Sequence, residues 1–318
     1  MSRSSYSQVR CGIVLAGGEG KRLQPFIRRL RGKDLPKQYV NFIGTRSMLE
    51  HTFHRVETLI HPDRLFTVVA RHHLEHPEVC RQLSGLPEGN LILQPENKET
   101  GPGIMLPLMR LYKFYPDAVV VLFPSDHFVL EEAHFMNHVD LACHIVERDP
   151  SRLVLLGVKP DAPESEYGYI LPVEGTDGFT QYGLRPVSQF IEKPDPPAAN
   201  ELFYRGGLWN TMVIAFKAKT LLALARKVAP VLSRSFHRIW KSVGTPAETE
   251  VVEDIYRHIK PVNFSKDLLE AISVRYSSHL QVLPVRGVYW SDWGSEQRIK
   301  SILRQMKYPS AFAEIQMA

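Results

Sequence analysis

The chain has 318 residues, of which 44% are hydrophobic and 23% are charged, and its formal net charge is +5. This length accommodates one large α/β domain or two smaller ones, and the composition is that of an ordinary globular protein. Because the cations are mostly dispersed and no apolar segment has the length of a signal peptide or a membrane span, we expect a cytoplasmic protein that binds phosphate-rich small molecules, with no nucleic acid and no membrane as partner.

A glycine-rich turn follows the first apolar run of the chain. The run at 13–16 predicts a strand buried on both faces. Three glycines and two cations come next: Gly17, Gly18, Gly20, Lys21 and Arg22. Glycines let backbone amides approach a ligand closely, and successive amides form an anion-binding concavity. The turn therefore predicts a site for a triphosphate.

Two better-known phosphate loops do not fit this turn. A P-loop needs glycine at the position of Leu15 and Ser or Thr at that of Arg22, and a dinucleotide-binding loop needs its third glycine at Leu23. Basic residues crowd 28–33, either as a mobile segment over the phosphates or as a solvated loop. The turn alone therefore does not identify the protein.

Strands and helices alternate after the turn. Ser47 and Glu50 predict a capping box for a helix that extends to Ile60, and strands are predicted at 65–70, 90–93 and 118–123. This spacing favours parallel strands joined by right-handed crossovers. Asp126 follows the last of these strands, at the sheet edge where α/β proteins bind ligands, although a helix N-cap is the alternative.

Gln94, Glu96 and Glu99 stand between the strand at 90–93 and the next helix. Their oxygens could accept hydrogen bonds from guanine, which offers N1–H and an amino group. An acidic turn before a helix N-terminus is also favourable dipole chemistry, so both interpretations stay open.

The second half of the chain has a strand at 153–158, and helices are predicted from Thr220, across 251–259 and from Ser295. Glu192 and Lys193 would point to opposite faces of a regular strand, so both can serve one site only if the strand ends or bulges there. Three widely spaced cysteines indicate neither a zinc site nor disulfides, and we expect them to be buried and reduced.

Five motifs in order resemble those of the sugar-1-phosphate nucleotidyltransferase family, and within it those of mannose-1-phosphate guanylyltransferases. They are Leu-Ala-Gly-Gly-x-Gly-x-Arg-Leu-x-Pro with Pro-Lys-Gln (15–25 and 36–38), Pro-Ser-Asp-His (124–127), Tyr-Gly-Tyr with Glu-Lys-Pro (167–169 and 192–194), Trp-Asn (209–210) and Trp-Ser-Asp-x-Gly (290–294). The resemblance covers about residues 11–300.

The resemblance implies an α/β fold, a Rossmann-like, mostly parallel mixed sheet flanked by helices. It implies one domain over 1–318, without a C-terminal β-helix or cupin domain. Its nucleotide-binding half would span 8–160, its sugar-phosphate-binding half 161–294, and a C-terminal helix 295–318.

The resemblance also assigns roles to residues of this chain. Catalysis is expected from Arg22, Lys37, Asp126 and Asp292, the two aspartates holding Mg²⁺. Nucleotide binding is expected from Leu15, Ala16, Gly17, Gly18, Gly20, Lys21, Arg22, Gln94, Glu99, Thr100 and Asp126. Sugar-phosphate binding is expected from Lys37, Gly168, Tyr169, Glu192, Lys193 and Asn210.

Three positions depart from the family pattern: Glu99 stands where Asn is usual, Met212 where Gly is usual and Ser265 where Asp is usual. The implied activity is transfer of a nucleotidyl group from GTP to mannose-1-phosphate, giving GDP-mannose and pyrophosphate. The alternatives are another sugar-1-phosphate with UTP or dTTP, and a catalytically silent regulatory protein that binds a nucleotide sugar. A homo-oligomer is compatible with each of these.

Overall fold

The computed structural model describes residues 9–175 and 181–305. Its strands are Arg10–Leu15 (β1), Leu65–Ala70 (β2), Leu91–Gln94 (β3), Val119–Pro124 (β4), Phe128–Val129 (β5), Leu153–Val158 (β6), Tyr169–Pro172 (β7), Arg185–Ile191 (β8), Leu208–Lys217 (β9), Leu280–Val285 (β10) and Trp290–Ser291 (β11). Its α-helices are Gln24–Arg31 (α1), Met48–Val56 (α2), Pro77–Leu83 (α3), Thr100–Phe114 (α4), Glu132–Arg148 (α5), Pro196–Tyr204 (α6), Ala218–Val228 (α7), Pro230–Ser242 (α8), Glu248–His258 (α9), Glu270–Arg275 (α10) and Glu296–Gln305 (α11).

Nine of the strands form one mixed sheet in the order β3-β2-β1-β4-β9-β6-β10-β8-β7. The strands β3, β2, β1 and β4 are parallel, as are β6 and β10, whereas β9, β8 and β7 pair antiparallel with their neighbours. The predicted mixed α/β sheet flanked by helices is confirmed, but it is not mostly parallel as expected, because only four of the eight neighbouring pairs in this order are parallel. Its longest parallel part lies on the side of the glycine turn. Because β10 pairs with β6, the two predicted halves share this sheet.

Helices cover both faces of the sheet, which is why its central strands read as continuous apolar runs. In β4, Val119, Val121 and Phe123 pack in one core with side chains of α2, α5 and α11, whereas Val120 and Leu122 pack in the other with side chains of α4 and α7 to α10. Successive side chains of a strand point to opposite faces, so a strand between two helical layers needs apolar residues at every position.

Side-chain capping sets the start of α2 as predicted, but not the start of α7. Ser47 Oγ accepts a hydrogen bond from the Glu50 amide at 3.1 Å, and Glu50 Oε2 accepts one from the Ser47 amide at 2.6 Å, so the predicted capping box is confirmed. Helix α2 ends at Val56, earlier than predicted. Thr220 lies inside α7 instead of capping it, and its hydroxyl donates to the Pro150 carbonyl.

Most of the basic cluster at 28–33 is helical and not a loop. Helix α1 continues through Arg31, and Gly32 ends it with a φ of 71°. The cations form exposed ion pairs, Arg28 with Asp34 and Lys33 with Glu78. Arg29 pairs with Glu296 of α11, so the cluster contacts carboxylates of the protein itself.

Two smaller expectations also meet the structure. Cys11 and Cys143 are buried as expected, but Cys80 is exposed. The predicted C-terminal helix is observed as α11, and 306–318 lie outside the described residues. Among the helices of 9–175 and 181–305, none combines the length and apolar composition needed to cross a bilayer.

Candidate active site

The glycine turn lies at the end of β1, with its carbonyl groups tied inward. Gln38 Nε2 donates to the carbonyls of Ala16, at 2.7 Å, and Gly18, at 2.9 Å. Ser125 Oγ donates to the Leu15 carbonyl at 2.7 Å. In the part of the chain that the structure describes, no group accepts from the backbone amides of the turn at 17–20. The turn therefore presents a row of amide donors to an anion.

Close packing explains two of the glycines. Gly20 has a φ of 59°, and a Cβ at this position would lie 2.9 Å from Lys37 Cβ. A Cβ at Gly17 would lie 2.5 Å from Gln94 Nε2. The Gln94 side chain is itself fixed, since its Oε1 accepts from the Tyr256 hydroxyl at 3.2 Å. A larger residue in the turn would thus displace Lys37 or Gln94.

Asp126 and Asp292 meet although they are far apart in sequence. Asp126 shortly precedes β5 and Asp292 directly follows β11, and these strands pair antiparallel with Ser291 opposite Phe128. The ribbon brings both carboxylates to the edge of the main sheet, near the glycine turn. The predicted aspartate pair is therefore assembled by two very short strands.

Lys37 lies between the two aspartates. Its side chain is 5% exposed, and its Nζ lies 3.2 Å from Asp126 Oδ2 and also donates to the backbone carbonyl of Asp292. Desolvation in the cleft raises the pKa of Asp126, but Lys37 and His127 together lower it by more, so the pKa lies below its ordinary value. The carboxylate is therefore ionised at neutral pH.

Asp292 is anchored through a single oxygen. Its Oδ1 accepts from the Tyr167 hydroxyl at 2.7 Å, from Arg298 Nη1 at 2.6 Å and from the Gly294 amide at 2.9 Å. Burial raises the pKa of Asp292, whereas Lys37, Tyr167 and Arg298 lower it by more, so the pKa lies below its ordinary value. This carboxylate is also ionised and its orientation is set.

The oxygens that remain suit a hard cation. Within residues 9–175 and 181–305, neither Asp126 Oδ1 nor Asp292 Oδ2 accepts a hydrogen bond. The Asp126 side chain is 41% exposed, so solvent and ligands reach it. Mg²⁺ prefers carboxylate oxygens and completes its shell with water and phosphate. The donor set therefore fits Mg²⁺.

A cavity of about 360 Å³ joins the glycine turn to the carboxylate edge. Nine of the residues predicted for the site line it: Leu15, Gly17, Gly18, Gly20, Gln94, Glu99, Thr100, Asp126 and Lys193. Gln38, Ser125 and Met212, which were not predicted as site residues, line it too. Most of the expected nucleotide-binding residues thus share one cleft.

Backbone strain concentrates around this cavity. Glu99, Lys193 and Met212 line it with φ of 70°, 47° and 57°, and Trp293, next to Asp292, has a φ of 46°. Such conformations cost about 1–3 kcal/mol each and persist only where the surroundings enforce them. Met212 stands in the irregular pairing of β6 with β9, which explains why glycine is usual there in the family it resembles.

The predicted sugar-binding residues form a second cluster beside the cavity. Strand β8 ends at Ile191, and the positive φ of Lys193 turns the chain, so the strand ends as the sequence required. Lys193 Nζ lies 3.9 Å from Glu192 Oε1, and a Cβ at Gly168 would lie 2.6 Å from Glu192 Oε2. The backbone amide of Asn210 donates to the Gly168 carbonyl at 2.8 Å. Burial raises the pKa of Glu192.

A family profile described as nucleotidyl transferase matches residues 11–307 of the chain. The chain belongs to the nucleotidyl transferase family. It is 28% identical to the xanthan biosynthesis protein XanB of Xanthomonas campestris over 92% of this chain and 59% of the relative. It is 32% identical to a mannose-1-phosphate guanylyltransferase of Escherichia coli over 69% of this chain and 45% of the relative.

Solved structures of nucleotidyl transferases share the fold. A crystal structure described as a mannose-1-phosphate geranyltransferase from Thermus thermophilus superposes with a TM-score of 0.75 at 25% identity, over 92% of this chain and 79% of that one. The family resemblance drawn from the motifs is therefore confirmed. The chain spans only about half the length of the curated relatives, 59% and 45% of the two named above.

Two residues predicted for the nucleotidyl transferase site lie elsewhere. Tyr169 has no exposed surface, and its hydroxyl accepts from the Glu164 amide at 2.9 Å, so it belongs to the core and not to the sugar site. Lys21 lines a different cavity, together with Glu19 of the turn. Ala16 is buried and reaches the site only through its carbonyl. Arg22 is 54% exposed and pairs with Glu166.

Sequence reasoning missed the residues that orient the others. Tyr167 and Arg298 hold Asp292, and Ser125 and Gln38 hold the glycine turn. Three of these lie inside quoted motifs, next to residues assigned to the substrates, so the motifs themselves carried the signal. Arg298 lies in α11, where only the tertiary structure shows its target.

Glu99→Gly is expected to raise the free energy of unfolding by about 1 kcal/mol. Glu99 has φ 70° and ψ −177°, a region that glycine adopts freely and other residues enter at a cost of about 1–3 kcal/mol. The Glu99 side chain contributes little to stability, because its Oε2 accepts only a long hydrogen bond, of 3.4 Å, from Asn263. Urea denaturation of the two proteins measures the difference.

Glu96→Gly is the matched control, because Glu96 lies in the same loop, is half exposed and has no positive φ. This variant should be no more stable than the parent chain. If Glu99→Gly instead lowers stability as much as Glu96→Gly does, the strain at Glu99 has no energetic consequence.

Proposed function

We propose that this nucleotidyl transferase moves a guanylyl group from GTP to mannose-1-phosphate with the help of Mg²⁺, forming GDP-mannose and pyrophosphate. The observation that carries the proposal is that Asp126 lines the cavity of the glycine turn and is linked through the Lys37 ammonium to Asp292. The choice of substrates is supported by the name of the Escherichia coli relative, mannose-1-phosphate guanylyltransferase.

The proposed reaction needs alignment and charge neutralisation more than proton transfer. A phosphate oxygen of the sugar-1-phosphate attacks the α-phosphorus, and the bond from that phosphorus to the bridging oxygen breaks. Pyrophosphate leaves with the electron pair of the broken bond. The second pKa of a phosphate monoester is near 6, so the attacking group is already largely dianionic at neutral pH and needs no general base.

Residues of the glycine turn and its neighbours supply the charges in this proposal. The turn amides hydrogen-bond the β- and γ-phosphates, and Lys37 holds the incoming sugar phosphate beside the α-phosphate. Arg22 offsets charge on the departing pyrophosphate through its planar set of donors. Asp126 and Asp292 hold Mg²⁺, which neutralises phosphate charge when bound.

The second cluster holds the sugar in this proposal. Glu192 accepts hydrogen bonds from sugar hydroxyls, while Lys193 and the side-chain amide of Asn210 donate hydrogen bonds to them. Glu192 is 15% exposed, and its carboxylate packs so closely on Gly168 that any side chain there would displace it. Lys193 also lines the nucleotide cavity, so it stands where sugar and phosphate would meet.

The base has two candidate identities. Gln94, Glu99 and Thr100 line the cavity beyond the turn, and the Glu99 carboxylate could accept from both N1–H and the amino group of guanine. However, Thr100 Oγ1 already accepts from the Phe264 amide at 2.8 Å, and Glu99 stands where the family usually has Asn. The second candidate is therefore the same reaction with UTP or dTTP and another sugar-1-phosphate.

Pyrophosphate release over a grid of substrates tests the proposal. GTP, UTP, dTTP and ATP are each combined with mannose-1-phosphate and glucose-1-phosphate, with Mg²⁺ and with EDTA. We expect the highest kcat/KM for GTP with mannose-1-phosphate and none with EDTA. A preference for UTP or dTTP would select the second candidate, and nucleotide-sugar binding without turnover in any combination would indicate a silent regulatory protein.

A further inference from the structure

A second cavity, of about 250 Å³, is lined by Glu19 and Lys21 of the glycine turn. Glu19, from the turn itself, faces His72 and His73, which follow the end of β2. One ligand atom from each of these three side chains lies within 4.8 Å of the other two. In the described part of the chain, this is the one group of three or more His, Cys, Asp or Glu side chains with such spacing.

The three side chains converge on one point. His72 Nε2 lies 3.0 Å from Glu19 Oε1, and His73 Nε2 lies 3.7 Å from the same oxygen. The two imidazole rings pack edge to face, with their centroids 4.7 Å apart. Two imidazole nitrogens and a carboxylate oxygen form a set found in zinc sites with three protein ligands.

His73 is an independent reason to look for a ligand. The side chain has no exposed surface, and its Nε2 has no hydrogen-bond partner in the described residues. Leaving a buried polar atom without a partner costs about 1–3 kcal/mol, so such atoms are rare in native proteins. This atom points toward Glu19, where a cation would satisfy it.

The surroundings of His73 are those of a metal ligand. Burial lowers the pKa of His73 to about 4, so the ring is neutral at pH 7 and carries the lone pair that a metal needs. Its Nδ1 lies 3.4 Å from the Tyr39 hydroxyl, which donates to the Ala16 carbonyl at 3.2 Å. Contacts of this kind at the second ring nitrogen fix the orientation of metal-binding histidines.

We propose that Glu19, His72 and His73 bind a zinc ion, with a water molecule from the cavity as the fourth ligand. Nitrogen ligands favour Zn²⁺ over Mg²⁺, which prefers oxygen, so this site is chemically distinct from the Asp126 and Asp292 pair. Because Glu19 belongs to the glycine turn, the ion links the turn to the end of β2. Two cationic side chains, Arg28 and Lys21, line the same cavity. Arg28 is neutralised by its ion pair with Asp34, so Lys21 is the positive charge there that opposes binding of the ion.

The test uses metal-free protein with Zn²⁺ or Co²⁺ alone and requires no turnover, so it stays readable if the proposed reaction is wrong. We expect one Zn²⁺ per chain, the visible absorption of tetrahedral Co²⁺, and a rise in Tm with Zn²⁺. His72→Gln should weaken Zn²⁺ binding by on the order of 100-fold, and its exposure of 46% predicts that the variant folds.

His61→Gln is the matched control. His61 Nδ1 also faces a carboxylate, at 3.4 Å from Asp63, but the pair is exposed and outside the cluster. Zn²⁺ binding should be unchanged in this variant. Binding that survives His72→Gln, a stoichiometry far below one ion per chain, or displacement of the ion by millimolar Mg²⁺ would each overturn the proposal.

Discussion

Replacing Asp292 by Asn is expected to lower kcat by about 100-fold or more with the fold intact. The substitution removes one of two carboxylates proposed to hold Mg²⁺, and losing a group that stabilises transition-state charge typically costs 10²–10³ in rate, roughly. Asn keeps an oxygen that can accept from Tyr167 and Gly294, which now contact Asp292 Oδ1. Steady-state kinetics at saturating Mg²⁺, together with a thermal melt, measure both effects.

Asp195→Asn is the control for this substitution. Asp195 caps α6, with its Oδ1 accepting from the Ala198 amide at 2.9 Å, and Asn caps helices equally well. This variant should retain both kcat and Tm. An Asp292→Asn enzyme with normal turnover would remove Asp292 from the active site and leave the proposed metal pair without support.

Replacing Lys37 by Met is expected to lower kcat by on the order of 100-fold, and also to lower the Mg²⁺ concentration needed for half-maximal activity by about 10-fold. The first effect follows from the loss of the proposed contact with the sugar phosphate. The second follows because the Lys37 ammonium now neutralises Asp126 at 3.2 Å. Without it, the two carboxylates lose their compensating cation and attract a divalent cation more strongly, by about 1.4 kcal/mol for a tenfold change.

Lys33→Met separates this effect from a general loss of positive charge. Lys33 is 52% exposed and pairs with Glu78 outside the cavity, so its removal should change neither kcat nor the Mg²⁺ requirement. The informative measurement is the Mg²⁺ titration of each variant. If the requirement of Lys37→Met stays the same or rises, Lys37 does not share the site with the metal.

Two of the three departures from the family pattern stand at positions of backbone strain. Glu99 and Met212 have positive φ at positions where the family has Asn and Gly, residues that tolerate positive φ better. Ser265, the third departure, donates to Met212 Sδ at 3.2 Å, so two unusual residues pack on each other.

Local patterns were predictable where neighbours in sequence decide them. The strands at 65–70 and 153–158 and the capping box at Ser47 depend on alternation, apolar runs and a cap, all read within a few residues. Helix α1 was missed although Pro25 and Gly32 mark its ends, because the charge of 28–33 suggested solvent. Arg28 pairs with nearby Asp34, but Lys33 pairs with Glu78, whose proximity no linear pattern shows.

The linear chain by itself determined the family, the buried parallel strands, the glycine turn and the identity of the residues that gather around it, because motifs and apolar periodicity are short-range properties. Only the tertiary structure decided which of them lie together. The pairing of β5 with β11 brings Asp126 and Asp292 to Lys37, Tyr169 is buried in the core, and Lys21 and Glu19 line a second cavity. Pairing register and burial depend on contacts between segments far apart in the chain, so no local pattern contains them.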